Sequence, residues 1–115
     1  MAVLDSEDEV RALAPDLAAV GELEALGLIV TAPGRTADFV SRFFVPNAGI
    51  AEDPVTGSAH CTLVPYWSAR LGKARLLARQ VSRRGGVLAC EDLGDAVAIA
   101  GRAVDYLAGE LEVPG

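Results

Sequence analysis

Apolar positions recur with helical spacing near the start of the chain and with strand-like spacing later. Ser6-Glu7-Asp8-Glu9 has the form of a capping box, with Ser6 as N-cap and Glu9 three residues on. Val10 and Leu13 follow at helical spacing, and Pro15 ends the pattern. Residues 16–25 predict a second short helix, with Leu17, Val20 and Leu23 on one stripe and Gly27 near its end. Leu28-Ile29-Val30-Thr31-Ala32 predicts a buried strand, closed by Pro33-Gly34. Phe39 to Val45 predicts another, rich in β-formers.

The twelve residues from Pro46 to Gly57 carry no regular period. A loop that long inside a compact domain usually has a function. It ends abruptly at a helix expected over 58–71, whose Ala59, Cys61, Leu63, Val64, Tyr66, Trp67, Ala69 and Leu71 make it apolar nearly all round. Such a helix is expected to be buried, with Cys61 an inert core thiol. Pro65 should kink it and Gly72 should stop it. The last third predicts strands near 75–82, 87–92, 95–101 and 102–111, with turns at Gly85-Gly86 and Leu93-Gly94-Asp95. Cys90 falls in one of them, and Ala96, Ala98 and Ala100 line one face of another. One buried helix with strands before and after it predicts an α+β domain, a mixed or antiparallel sheet curled around that helix.

Composition narrows the class. With 51% hydrophobic and 23% charged residues in 115, the chain is globular rather than disordered, and long enough for one domain. No apolar run reaches the length of a membrane helix, so no membrane partner is expected. The acidic start does not resemble a signal or transit peptide, and two cysteines make no disulfide framework, so the expected location is cytoplasmic. Residues 1–24 hold seven acids and one base, which is the whole net charge of −6. Between Asp53 and Glu91 lie six bases and no acid: Arg70, Lys73, Arg75, Arg79, Arg83 and Arg84. They lack interleaved aromatics and sit in an acidic chain, so no nucleic-acid partner is expected. Arg70 and Lys73 suit a helix C-terminus, and Arg75, Arg79 and Arg83 would share one strand face.

Chemistry concentrates in Glu52-Asp53-Pro54-Val55-Thr56-Gly57-Ser58-Ala59-His60. Two carboxylates, a glycine, hydroxyls and the single histidine stand before and within the first turn of the helix. Its first N–H groups have no intrahelical partner and form a ready anion site. Thr56 or Ser58 can cap, Gly57 lets a ligand approach the backbone, and Asp53 is placed to exchange a proton with a bound substrate. Ala59, His60 and, at the start of the loop, Asn47 complete the candidate substrate-binding set. Each also has a plainer reading: Thr56 and Ser58 as ordinary caps, Gly57 as a turn residue, Asp53 as an Asx-type turn former and His60 as a packed histidine. The residues offer no second histidine or cysteine at ligand spacing, so no metal site is expected.

The run from Phe39 through Pro46-Asn47-Ala48-Gly49 and Asp53-Pro54-Val55-Thr56-Gly57-Ser58-Ala59-His60 resembles the C-terminal half of the PhzF-like, phenazine-biosynthesis-like proteins. Pro65-Tyr66-Trp67, Leu71-Gly72-Lys73 and Gln80-Val81-Ser82-Arg83-Arg84-Gly85-Gly86 continue the match, which spans residues 3–111. The resemblance implies a diaminopimelate-epimerase-like fold of two similar halves, with the active site in the cleft between them. It implies isomerisation by proton transfer on a small carboxylate such as trans-2,3-dihydro-3-hydroxyanthranilate, without metal or organic cofactor. Asp53 and Ser58 match the family's C-domain acid and serine, and Gly57 the adjacent substrate-holding glycine. Related epimerases carry a catalytic cysteine where this chain has Asp53, which disfavours a two-thiol mechanism. The family's proton-shuttling glutamate belongs to an N-terminal half that this sequence does not contain. Residues 1–115 therefore match one half of a site, whose partner is expected to be that N-terminal half or a second copy of this chain. The alternatives are a homodimeric carboxylate-binding module without turnover and an inactive truncated product.

Overall fold

The computed structural model describes residues 1–114, in the order β1 (Ala2–Val3), α1 (Glu7–Ala12), α2 (Leu17–Gly21), β2 (Leu28–Pro33), β3 (Phe39–Phe44), a 3₁₀ turn (Pro46–Ala48), β4 (Glu52–Asp53), α3 (Gly57–Leu71), β5 (Arg75–Gln80), β6 (Gly86–Asp92) and β7 (Val97–Ala100). The strands form one mixed sheet, ordered β1-β2-β3-β5-β6-β7, with β4 paired to β3. The β1–β2 and β3–β5 pairs are parallel and the others antiparallel.

β2 and β3 are mostly apolar because both of their faces are covered. Phe39 and Phe43 join Leu63, Val64 and Trp67 of α3 in one core. Val30, Ala32, Val40 and Phe44 join Val10 of α1 and Val20 of α2 in a second, on the opposite face. Trp67 stitches the α3 side together. Its ring stacks on Phe39 with centroids 5.7 Å apart, and its indole N–H donates to Thr31 Oγ1 at 3.0 Å. The Thr31 hydroxyl in turn donates to the Val40 carbonyl at 2.7 Å, so no polar atom of that cluster is left unmatched.

Half of the predicted capping box forms: the Glu9 N–H donates to the N-cap Ser6 Oγ, but Glu9 Oε2 accepts from the Asp5 N–H, one residue before the cap, rather than from Ser6. Gly72, at φ 66°, stops α3 as expected, and Gly85 and Gly94 make the turns at φ 74° and 87°. Several expectations need correction. The second helix spans five residues rather than 16–25: Asp16 caps it where its start was expected, but Glu22 already ends it. α3 is buried on one face only; Cys61, Thr62, Pro65 and Ala69 are exposed, so Cys61 is not a core thiol. The helix runs through Pro65 without interruption. Pro65 lies on the solvent side, where water can serve the carbonyl its missing N–H leaves free. β5 ends at Gln80, so Arg83 stands in the following turn rather than on a strand face with Arg75 and Arg79.

The strand expected over 102–111 does not form, and residues 101–114 are exposed without regular structure. The β6–β7 register explains why. Ala100 lies opposite Ala89 and Val97 opposite Asp92. Continued by the same register, Ala103 would face Gly86, the first residue of β6, and everything beyond runs off the sheet with nothing to pair against. No helix among the described residues is long and apolar enough to cross a membrane.

Candidate active site

The predicted loop is not structureless. Asp53 sits in β4, held against β3 by pairing of Phe43 with Asp53 and Phe44 with Glu52. Glu52 does not share the site's chemistry. Arg42 grips both its oxygens, at 2.7 and 2.9 Å. The same guanidinium donates to the carbonyls of Val10 and Leu13 at 3.1 and 2.7 Å and lies 4.7 Å from the Phe44 ring centre. Arg42 thus ties the end of α1 to the strand that carries Asp53.

Thr56 decides the character of the first turn of α3. Its backbone is the N-cap, at φ −120° and ψ 108°, yet its side chain makes no capping bond. The hydroxyl instead donates to Asp53 Oδ2. The first N–H groups of α3, at Gly57, Ser58 and Ala59, therefore keep their partial positive charge without a side-chain acceptor. Gly57 and Ser58 are exposed, so solvent or a ligand reaches this turn. Nothing lies within 4 Å of where a Gly57 side chain would begin.

Gln80 at the end of β5 holds this arrangement from below. Its side chain is buried, with Oε1 accepting from the Thr56 N–H at 2.7 Å. Its amide nitrogen donates to the Asp53 carbonyl at 2.7 Å and to Thr56 Oγ1 at 3.0 Å. The relay runs in one direction, Gln80 to the Thr56 oxygen and the Thr56 hydroxyl to Asp53. Ser82 adds a second tether, donating to the Pro54 carbonyl at 2.7 Å while accepting from the Gly85 N–H at 3.0 Å. An open cleft of about 410 Å³ flanks the loop, lined by Glu52, Pro54, Ser82, Arg83 and Arg84.

Of the residues expected at the site, Asp53, Thr56, Gly57 and Ser58 come together at the uncapped turn. The side chains of Ala59 and His60 point into the core. His60 Nδ1 lies 2.6 Å from the Thr56 carbonyl. A carbonyl only accepts, so that nitrogen carries the proton and the ring is the Nδ1–H tautomer. Burial holds its pKa below the ordinary imidazole value, against a smaller opposing effect of the Thr56 bond. Asn47 is exposed, and its amide donates to the Gly21 carbonyl at 2.9 Å, fastening the 3₁₀ turn to α2. Gln80, Arg42 and Ser82 carry the loop although residue type and spacing gave no reason to select them. Their sequence neighbourhood is that of ordinary strand and turn residues, and only the fold brings them to Asp53.

Residues 1–109 match the family model for phenazine biosynthesis-like proteins, and the chain belongs to that family. It is 53% identical over 113 residues to an uncharacterized isomerase of Pseudomonas aeruginosa, covering 98% of this chain and 43% of the relative. A second such isomerase, of Halalkalibacterium halodurans, is 44% identical over 94% of this chain and 42% of its own length. The crystal structure of a phenazine biosynthesis PhzC/PhzF protein from Clostridium difficile superposes with a TM-score of 0.86 at 48% identity, over 96% of this chain and 43% of that one. The chain thus spans less than half the length of the relatives it matches.

Proposed function

We propose that this chain is the C-terminal half of a cofactor-independent isomerase that moves a proton on a small carboxylate substrate. The observation that carries the reading is the diverted Thr56 hydroxyl. It leaves the first turn of α3 open to an anion and places the Asp53 carboxyl directly beside that opening. The substrate carboxylate rests on the N–H groups of Gly57, Ser58 and Ala59. Asp53 exchanges the proton, and Ser58, exposed in the first turn of α3, is the second site residue. Thr56, Gln80 and His60 act as positioning residues. Isomerase relatives at 53% and 44% identity support the reaction class.

The site so described is one side of a cleft. Glu52 is neutralised by Arg42, so the opposing base comes from the N-terminal half that relatives of more than twice this length would supply. The matching fold is the diaminopimelate-epimerase-like one, a sheet curled about α3. Contacts of α3 with β5, β6 and β7, and of Trp67 with Thr31 and Phe39 on β2 and β3, support it.

The test mixes this chain with the N-terminal half of a family member in deuterated water and follows label into trans-2,3-dihydro-3-hydroxyanthranilate by mass spectrometry. Exchange is expected with the parent chain and not with Asp53→Asn. A folded complex without exchange sinks the catalytic reading. In parallel, benzoate added to the labelled chain alone should shift the amide resonances of Gly57, Ser58 and Ala59. Shifts there without exchange would leave a carboxylate-binding module.

A further inference from the structure

Three strands place one polar residue each, side by side, beneath α3. Thr31 lies opposite Ser41 across the β2–β3 pair, and Ser41 beside Gln80 across the parallel β3–β5 pair. Residues in register share a face of the sheet. Phe39 and Phe43 flank Ser41 at two-residue spacing on β3, and Leu76 and Ala78 precede Gln80 on β5 in the same way. All four pack in the core that α3 covers, so the row Thr31, Ser41, Gln80 faces that helix. Both outer members are served from above. Trp67 donates to Thr31, and Gln80 bonds the Thr56 N–H and hydroxyl. Ser41, in the middle, is 2% exposed, and its hydroxyl bonds nothing.

His60 stands over the middle of the row. It falls between Thr56 and Trp67 on α3, with its ring centre 5.9 Å from that of Phe39. It is wholly buried, and its Nε2 has no partner either. Among the described residues, Ser41 Oγ and His60 Nε2 are the buried side-chain atoms left without a hydrogen bond. Their chemistry is complementary. The bond from Nδ1–H to the Thr56 carbonyl makes Nε2 an acceptor, and the serine hydroxyl is a donor. They do not bond each other directly. Both are enclosed by the sheet and helix of this chain, so a further half of the protein has no access to them.

We infer that one water is built into the core between Ser41 and His60, accepting from the Ser41 hydroxyl and donating to His60 Nε2. Its second hydrogen has a taker in the same row, because Thr31 Oγ1 and Gln80 Oε1 each keep a lone pair beyond the bond they accept. Three partners is the usual number for a buried water. The water holds the imidazole from behind. With Nε2 engaged as an acceptor, the proton stays on Nδ1 and on the carbonyl of Thr56, the residue whose hydroxyl turns to Asp53. Ser41 is thereby a positioning residue for the Asp53–Thr56 turn, which it does not touch. That role rests on the isomerase reading, whereas the water does not.

Nitrogen-15 NMR of the full chain reads the arrangement directly, since His60 is its single histidine. In the parent, Nδ1 should be protonated and Nε2 should be an imine nitrogen shielded by an accepted hydrogen bond. Magnetisation should pass from a long-lived water to the ring proton beside Nε2. Ser41→Ala should lose that transfer and move Nε2 toward the position of a free imine, with Nδ1 still protonated. It should also weaken the benzoate shifts at Gly57, Ser58 and Ala59. If Ser41→Ala does not fold, crystallographic density in the parent decides, and one peak within hydrogen-bond distance of both atoms supports the inference. A proton found on Nε2, an Nε2 resonance identical in parent and Ser41→Ala, or a dry core with the Ser41 hydroxyl turned onto a strand carbonyl would overturn it. Benzoate shifts unchanged by Ser41→Ala would remove the positioning role. A parent that shows the water but no benzoate shift at all counts against the isomerase reading instead.

Discussion

Gln80→Leu removes three hydrogen bonds from beneath the Asp53–Thr56 loop while keeping a side chain of similar size. The Thr56 N–H is then left without an acceptor in a buried position, and the half-buried Asp53 carbonyl without a donor. A buried orphan costs about 1–3 kcal/mol, and the carbonyl costs less where water reaches it, so the total is about 2–4 kcal/mol. That is a large share of the roughly 5–15 kcal/mol a domain of this size has in all. With a urea dependence of about 1.5 kcal/mol per molar, the unfolding midpoint should fall by about 1.3–2.7 M. Gln80→Glu sharpens the test. It keeps the acceptor for Thr56 but, when ionised, offers no donor to the Asp53 carbonyl and sets a charge near the Asp53 carboxyl. Its deficit should therefore shrink as the pH is lowered and the new carboxyl regains a proton to donate. A loss below about 0.5 kcal/mol for Gln80→Leu, with Thr56 amide protection unchanged, would refute the idea that Gln80 supports the loop.

Two further predictions concern groups outside the Gln80 network. Cys61 is exposed on α3, whereas Cys90 is buried in β6 with its thiol pushed up to about 11 by desolvation. A thiol reagent should therefore modify one cysteine quickly and the second only at the rate of unfolding; two fast thiols would contradict the packing of β6 on α3. His60 is held neutral by burial, so below pH 6.5 the unfolded chain takes up a proton that the folded chain refuses. Stability should fall as the pH is lowered from 7.5 to 5.5, and His60→Gln should lack that component; equal slopes in the two proteins would place the titration elsewhere.

The order of elements was readable because it rests on local chemistry: the Ser6 N-cap, the β-rich Leu28–Ala32 and Phe39–Val45 runs, and Gly72 closing α3. Whether each element is covered was not readable. Cys61, Pro65 and Ala69 look buried in a row of apolar residues, but the sheet lies on one side of α3 only. Residues 102–111 have the composition of a strand and fail to form one, since strand formation needs a neighbour and β6 ends at Gly86. The site divides in the same way. Asp53, Thr56, Gly57 and Ser58 lie within six consecutive residues and are visible as a motif. Gln80 and Ser82 come from β5 and the turn after it, and only folding brings them to the loop.

This division predicts opposite behaviour for two neighbouring residues. Asp53→Ala loses the bond from the Thr56 hydroxyl, worth about 0.5–1.5 kcal/mol net, or somewhat more if the acceptor is charged. It also frees that hydroxyl, already in N-cap geometry, to accept from an N–H of the first turn of α3, which contributes about 1 kcal/mol. The two effects nearly cancel, so the variant should unfold within about 1 kcal/mol of the parent, unlike Gln80→Leu. Its effect on the site should be the reverse. With the turn capped from within, the amides of Ser58 and Ala59 are no longer open, and benzoate should shift them less than in the parent. Denaturation and amide titration on the same sample separate the terms. If Asp53→Ala is as destabilising as Gln80→Leu, the Thr56–Asp53 bond supports the fold and not an open turn. If it is stable but benzoate shifts the amides as before, Thr56 does not reclaim its cap, and the orientation of its hydroxyl is set by Gln80 alone.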